Sequence, residues 1–124
     1  MIASIFPKLL GIFFLLFLPA LHSTTFTGTI GDFSTLNTVL TAGHTSIDGT
    51  ITADITFTNE ITIDEMSTDV QLVAASFEEE LDGNSGRMIN IPGGVSLTIS
   101  GFYLTNCNAM YGGCFYVNQS ASLS

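Results

Sequence analysis

At 124 residues the chain has room for one domain, and eleven Asp and Glu residues against only Lys8 and Arg87 leave it a formal net charge of −9. Phosphate recognition depends on Lys and Arg, so nucleic acid is excluded as a partner; anionic lipid surfaces and strongly anionic glycans are disfavoured for the same reason unless a divalent cation bridges them. Few charges among many Thr, Ser, Asn and Gly residues suit an extracellular β-rich protein.

Met1 to Lys8, the apolar run Leu9 to Leu18 and then Pro19 to Ser23 have the three-part form of a secretory signal peptide. A membrane-spanning helix wants about 20 apolar residues. This run is shorter and is bounded by Pro7-Lys8 and Pro19, so an uncleaved anchor is the lesser reading and no mature transmembrane segment is expected. Small residues at Ala20 and Ser23 place the first mature residue near Thr24. Lys8 leaves with the leader, and Arg87 is then the one fixed positive charge.

Residues 24–46 are read as an N-terminal cap. Within them Phe33, Leu36, Val39 and Leu40 recur at helical spacing, with Asp32 or Ser34 available as the N-cap and Ala42-Gly43 as the stop. From Ile47 onward the period changes to two: Ile55/Phe57, Ile61/Ile63, Val70/Leu72, Ile89/Ile91, Leu97/Ile99 and Phe102/Leu104 alternate with polar residues. Glu78 to Glu80 and the turn-rich Leu81 to Gly86 interrupt this pattern and read as a solvated corner. Oxygen ligands on Glu78, Glu79, Glu80 and Asp82 raise the question of Ca²⁺, but no Asp-x-Asp-x-Asp-Gly loop is present, and no metal or cofactor site is assigned.

A shift of 26 residues lays Met88–Ile91 on Cys114–Val117 and Val95–Thr98 on Ala121–Ser124. Self-similarity at such a period is the mark of stacked units, each burying its apolar face only against the next. Ile61-Thr-Ile63 and Val70-Gln-Leu72 read as the same two strands one coil earlier, with the corner between them longer by three residues. The fold class is therefore all-β, a right-handed parallel β-helix over residues 47–124 with a capping helix before it. An antiparallel sandwich is the competing reading, disfavoured because it needs no fixed offset and because the one Asp-Gly placed to serve as its two-residue hairpin turn, Asp82-Gly83, runs on through Asn84-Ser85-Gly86. The last predicted strand is cut at Ser124, which reads as an incomplete C-terminal coil and suggests a piece of a longer protein.

Two side-chain features need a decision. Cys107 and Cys114 lack the further Cys or His ligands of a Zn site; they read first as small semi-buried core residues, Cys114 in the place of Met88, and second as a candidate disulfide across the corner. Asn118-Gln-Ser120 is the chain's one glycosylation sequon, a candidate only because of the leader.

The stretch from Leu97 to Val117 resembles the coil repeat of secreted parallel β-helix proteins. Among them it is similar to the chlamydial polymorphic outer-membrane-protein type, whose repeats carry Gly-Gly-Ala-Ile and Phe-x-x-Asn; Gly112-Gly113-Cys114-Phe115 and Tyr103-x-x-Asn106 stand in these places. What the resemblance implies is a pectate-lyase-like superhelix, export, and a surface-displayed or adhesive role. The expected function is a secreted or cell-surface structural and adhesive module without catalysis. Its partners would be extracellular glycans or cell-surface proteins, met by Tyr103, Tyr116, Asn90 and Asn118 along one outer face. The alternative is a polysaccharide lyase or glycoside hydrolase, for which Asp64, Glu65 and Asp82 are the carboxylates near strand ends and Arg87 the lone base.

Overall fold

The computed structural model describes residues 24–108 and 113–124. Residues 1–23, read from the sequence as a leader, and Gly112 of the Gly-Gly motif lie outside the described residues. Strand β1 (Thr25–Ile30) leads into helix α1 (Phe33–Thr41). There follow β2 (Ser46–Ile51), β3 (Ile55–Thr56), β4 (Ile61–Thr62), β5 (Asp69–Ala74), β6 (Glu80–Gly86), β7 (Ile89–Ile91), β8 (Ser96–Ser100), β9 (Tyr103–Cys107), β10 (Phe115–Val117) and β11 (Ser122–Leu123).

These strands form three sheets in the orders β1-β2-β5-β8-β11, β3-β6-β9 and β4-β7-β10. Every strand pair is parallel. A chain that visits the first, second and third sheets in turn and then returns one position along is a parallel β-solenoid, here of about 4 turns. The antiparallel sandwich is ruled out. Phe115 lies opposite Ile89 and Leu123 opposite Leu97, as the 26-residue offset requires.

The pattern of two becomes a pattern of inside and outside. Ile47, Ile51, Val70, Leu72 and Leu97 from the first sheet, Ile55 and Leu81 from the second, and Ile61, Ile89, Ile91 and Phe115 from the third form one buried cluster. Side chains in register on adjacent parallel strands sit about 4.8 Å apart, so each makes contact along the solenoid axis as well as across it. Burying each Ile or Leu contributes about 1.5–3 kcal/mol relative to leaving it in water.

Helix α1 occupies the part of the first coil where later coils place strands of the second and third sheets. Asp32 is its N-cap and accepts the Thr35 N–H at 2.7 Å, while the helix closes at Ala42 with Gly43 following at φ 83°. Leu36, Val39 and Leu40 are buried, and Phe33 meets Phe57 edge to face at 5.5 Å between ring centroids. The helix packs on β1 and β4, and the Asp64 N–H donates to the Leu40 carbonyl at 2.9 Å. It thereby covers the first edge of the third sheet, an exposed pairing surface that natural sheets need to protect. Among the described residues no helix is long and apolar enough to cross a membrane.

Three details depart from the sequence reading. Strands begin at Thr25 rather than Ile47: β1 pairs with β2 over six residues from Thr25↔Ser46 to Ile30↔Ile51. The supposed corner Leu81–Gly86 belongs to strand β6, where Leu81 lies between Ile55 and Leu104; the turn-like residues reflect positive φ at Asn84 and Ser85 and a register shift before Gly86. The corner between β4 and β5 is longer than its successor by one residue, not three. The offset falls from 28 at Ile61↔Ile89 to 27 at Val70↔Leu97, because Val95 belongs to the preceding turn, its N–H donating to the Pro92 carbonyl at 3.1 Å.

Candidate functional site

The residues expected to share one outer face are divided between two. Tyr103 stands on β9 of the second sheet, opposite Glu80. Asn90 and Tyr116 lie opposite each other on the third sheet. There they form a self-contained polar strip. The Asn118 Nδ2 donates to Asn90 Oδ1 at 2.6 Å and to the Ile91 carbonyl at 2.8 Å, Asn90 Nδ2 reaches Thr62 Oγ1 at 3.5 Å, and the Arg87 guanidinium lies 4.9 Å from the Tyr116 ring centroid while pairing with Glu60. Both amide hydrogens of Asn118 are thus committed. A glycan on that nitrogen would replace one of them, so the folded strip and the modified sequon compete for the same atom.

The carboxylates named for the hydrolase or lyase are also dispersed, and Asp64 and Asp82 are occupied. Asp64 and Glu65 lie in the corner between the third and first sheets, and Asp64 Oδ1 accepts the Met66 N–H at 2.9 Å. Asp82 is on the second sheet and accepts the Asn84 N–H at 2.8 Å. Arg87 is held by Glu60, which keeps its guanidinium pKa above the ordinary value, and by Tyr116.

Cys107 and Cys114 are joined by a disulfide with Cα atoms 4.7 Å apart. It ties the end of β9 to the start of β10. Cys114 still stacks where the repeat puts it, its carbonyl accepting the Met88 N–H at 2.9 Å. The preference for a pair of unlinked core thiols is therefore corrected: the offset rightly placed Cys114 over Met88, but a match along the axis carries no information on what lies across the corner.

The corner between the first and second sheets joins Glu78 and Glu79, read from the sequence as solvated, to Thr52, Asp54 and Ser76, which the sequence reading passed over. Thr52-Ala53-Asp54 from one coil and Ser76, Glu78 and Glu79 from the next line an open cleft of about 330 Å³. Glu79, expected to be solvated, is 6% exposed. Its carboxylate accepts the Ser76 hydroxyl at 2.6 Å, the Ser76 N–H at 3.1 Å and the Glu78 N–H at 3.2 Å, and so closes the loop on itself. Ser76 three residues ahead of Glu79 is the sequence signal that could have shown this, since a hydroxyl and a carboxylate at that spacing commonly bond each other's backbone. Asp54 Oδ1 accepts the Glu80 N–H at 2.8 Å and Glu80 Oε1 accepts the Thr105 hydroxyl at 2.9 Å, which links three coils.

The hydrogen bond from the Ser76 hydroxyl leads the effects that hold the Glu79 carboxyl below its ordinary value of 4.5. A carboxylate whose folded pKa is depressed contributes stability that is complete above its unfolded pKa and is lost as pH falls through the folded one. Thermal midpoints measured against pH should thus be level near neutrality and decline below about 4.5. Glu79→Gln should lower the neutral-pH midpoint and flatten that decline, whereas exposed Glu78→Gln should do neither. Equal behaviour of the two variants would refute this role for Glu79.

No family model, no curated protein and no solved structure matches the chain. The likeness to the chlamydial repeat accordingly rests on its motif residues alone.

Proposed function

We propose that the protein is a secreted or cell-surface structural and adhesive β-solenoid module that carries out no catalysis. The observation that supports this most is the state of the ionisable groups: Asp64 in the corner after β4 and Asp82 on strand β6 each hold a neighbouring N–H, and Arg87, the only Lys or Arg outside the leader, is taken up by Glu60 and Tyr116. Glycoside hydrolysis asks for two carboxylates aimed at one bond, and a shared fold does not supply them. Export is supported by the form of residues 1–23 and by the disulfide, a bond that persists in oxidising compartments. What a solenoid of this kind offers instead is a rigid array of outward side chains repeated from coil to coil, suited to extended contact.

Incubation with pectin and with β-glucans, with and without Ca²⁺, should leave the polymers uncut, while protein-coated beads should be retained on glycan-bearing or cell surfaces. Chain cleavage that disappears in Asp82→Asn would overturn the reading in favour of a polysaccharide lyase or hydrolase. Failure of the beads to be retained on any surface would overturn the adhesive part.

A further inference from the structure

We propose that the corner between the first and second sheets binds a polysaccharide of amino sugars, with Phe77 and Tyr103 as the stacking platform and the adjoining carboxylates as partners for its ammonium groups. The inference rests on the adhesive reading and names a site and ligand class for it.

The starting observation is apolar surface where a folded chain gains nothing from it. Phe77 is 65% exposed and Tyr103 62%, the largest exposures among the aromatic residues described. Phe77 has φ 60°, a backbone state that costs a bulky residue free energy, and its ring lies against Gly101, where an added Cβ would stand 2.5 Å from Phe77 Cδ1. A side chain at 101 would push the ring away. Two residues further on from Gly101, the backbone of Tyr103 is held to the preceding coil by its N–H, which donates to the Glu79 carbonyl at 3.0 Å. Phe77 thus stands on the corner before β6 and Tyr103 at the start of β9 on the next coil, both exposed to solvent.

Charge selects the occupant. Asp54 and exposed Glu78 line the cleft beside Phe77, with Glu79 closed on its own loop among them, and among the described residues no Lys or Arg is near to neutralise them, since Arg87 is held by Glu60 and Tyr116. A uronic acid polymer would bring like charge to this corner. An amino sugar presents an apolar ring face to Phe77 and Tyr103, an ammonium group attracted both to the carboxylates and to the aromatic faces, and hydroxyls for Thr52 and Ser76. Successive coils are about 4.8 Å apart, so the cleft and the platform form a track along the solenoid axis, fit for a chain rather than a single sugar.

The test is calorimetric titration of the intact, disulfide-bonded protein with oligomers of β-linked glucosamine at low salt, with NMR shifts read at Phe77 and Tyr103. Binding is expected that weakens as salt is raised, is at least about tenfold weaker for the N-acetylated oligomer, and is undetectable for oligogalacturonate. Phe77→Ala and Tyr103→Ala should each lose about tenfold or more in affinity, with Phe77→Tyr retaining it and exposed Met66→Ala as a neutral control; about 1.4 kcal/mol corresponds to each tenfold step. The proposal is overturned if the glucosamine oligomer does not bind, if oligogalacturonate or a lysine oligomer binds as tightly, or if Tyr103→Ala, folded by its unfolding midpoint, keeps full affinity. Retention of the beads on surfaces with unchanged strength in Phe77→Ala and Tyr103→Ala would sink this site while leaving the adhesive reading in place.

Discussion

Replacing Ile89 with alanine is expected to lower the unfolding free energy by about 3–4 kcal/mol, within the range for buried Ile-to-Ala changes. Ile89 is 0% exposed and lies on β7 between Ile61 of one coil and Phe115 of the next. Truncation there removes contacts in both directions along the stack, and the strands on either side are held in register, which limits how far they can collapse into the space left. Domains of this size are stable by only about 5–15 kcal/mol. A loss of this size in a quasi-linear stack also weakens the interface through which one coil supports its neighbour. Urea unfolding provides the measurement, with Gln71→Ala on the outer face of β5 as the control expected to change stability by less than about 0.5 kcal/mol. A loss below about 1 kcal/mol for Ile89→Ala would mean that the ladder is not sealed at this level.

That ladder was legible because its cause is local and repeated. Alternation says which side chains turn inward, the 26-residue offset lays Phe115 on Ile89, and the repeated Ile-x-Ile pair lays Ile61 beneath them despite a longer corner, so the three could be aligned before any coordinates. Helix α1 was legible for the same reason, since its apolar spacing and Asp32 are both short-range signals. Strand β1 was not. Its inward residues are Phe26, Gly28 and Ile30, and a glycine in the middle removes the alternation on which the reading depends. The solvated reading holds for Glu78 but not for Glu79, because a run of carboxylates has the composition of a wet surface, whereas Glu79 finds three donors within its own loop. The candidate site fared worst. Whether Tyr103 and Tyr116 share a face depends on how sharply the chain turns at the corner between β9 and β10, and nothing in the alternation of either strand encodes that angle. Phe77 drew no notice because its placement comes from a contact with Gly101 on the next coil.

The disulfide at that same corner carries the second large effect. Reducing the bond, or replacing both cysteines by serine, is expected to cost about 2.5 kcal/mol on the loop-entropy account for a link between residues seven apart. The loss should also be local. Leu104, Val117 and Leu123 of the last coil are 41%, 44% and 36% exposed, while Leu81, Ile91 and Leu97, their counterparts one coil earlier, are 1% exposed or less. Packing therefore holds β9 and β10 less firmly than the strands before them, and the covalent link makes up part of the difference. Hydrogen exchange after reduction should accelerate first at the N–H groups of Asn118 and Ser122, which bond to Ile91 and Val95 on the preceding coil, and only later at Ala75, whose N–H bonds to Ile51 deep in the stack. Uniform acceleration across all coils would instead show that the solenoid unfolds as one unit, and an unchanged midpoint would show that β9 and β10 keep their places without the bond.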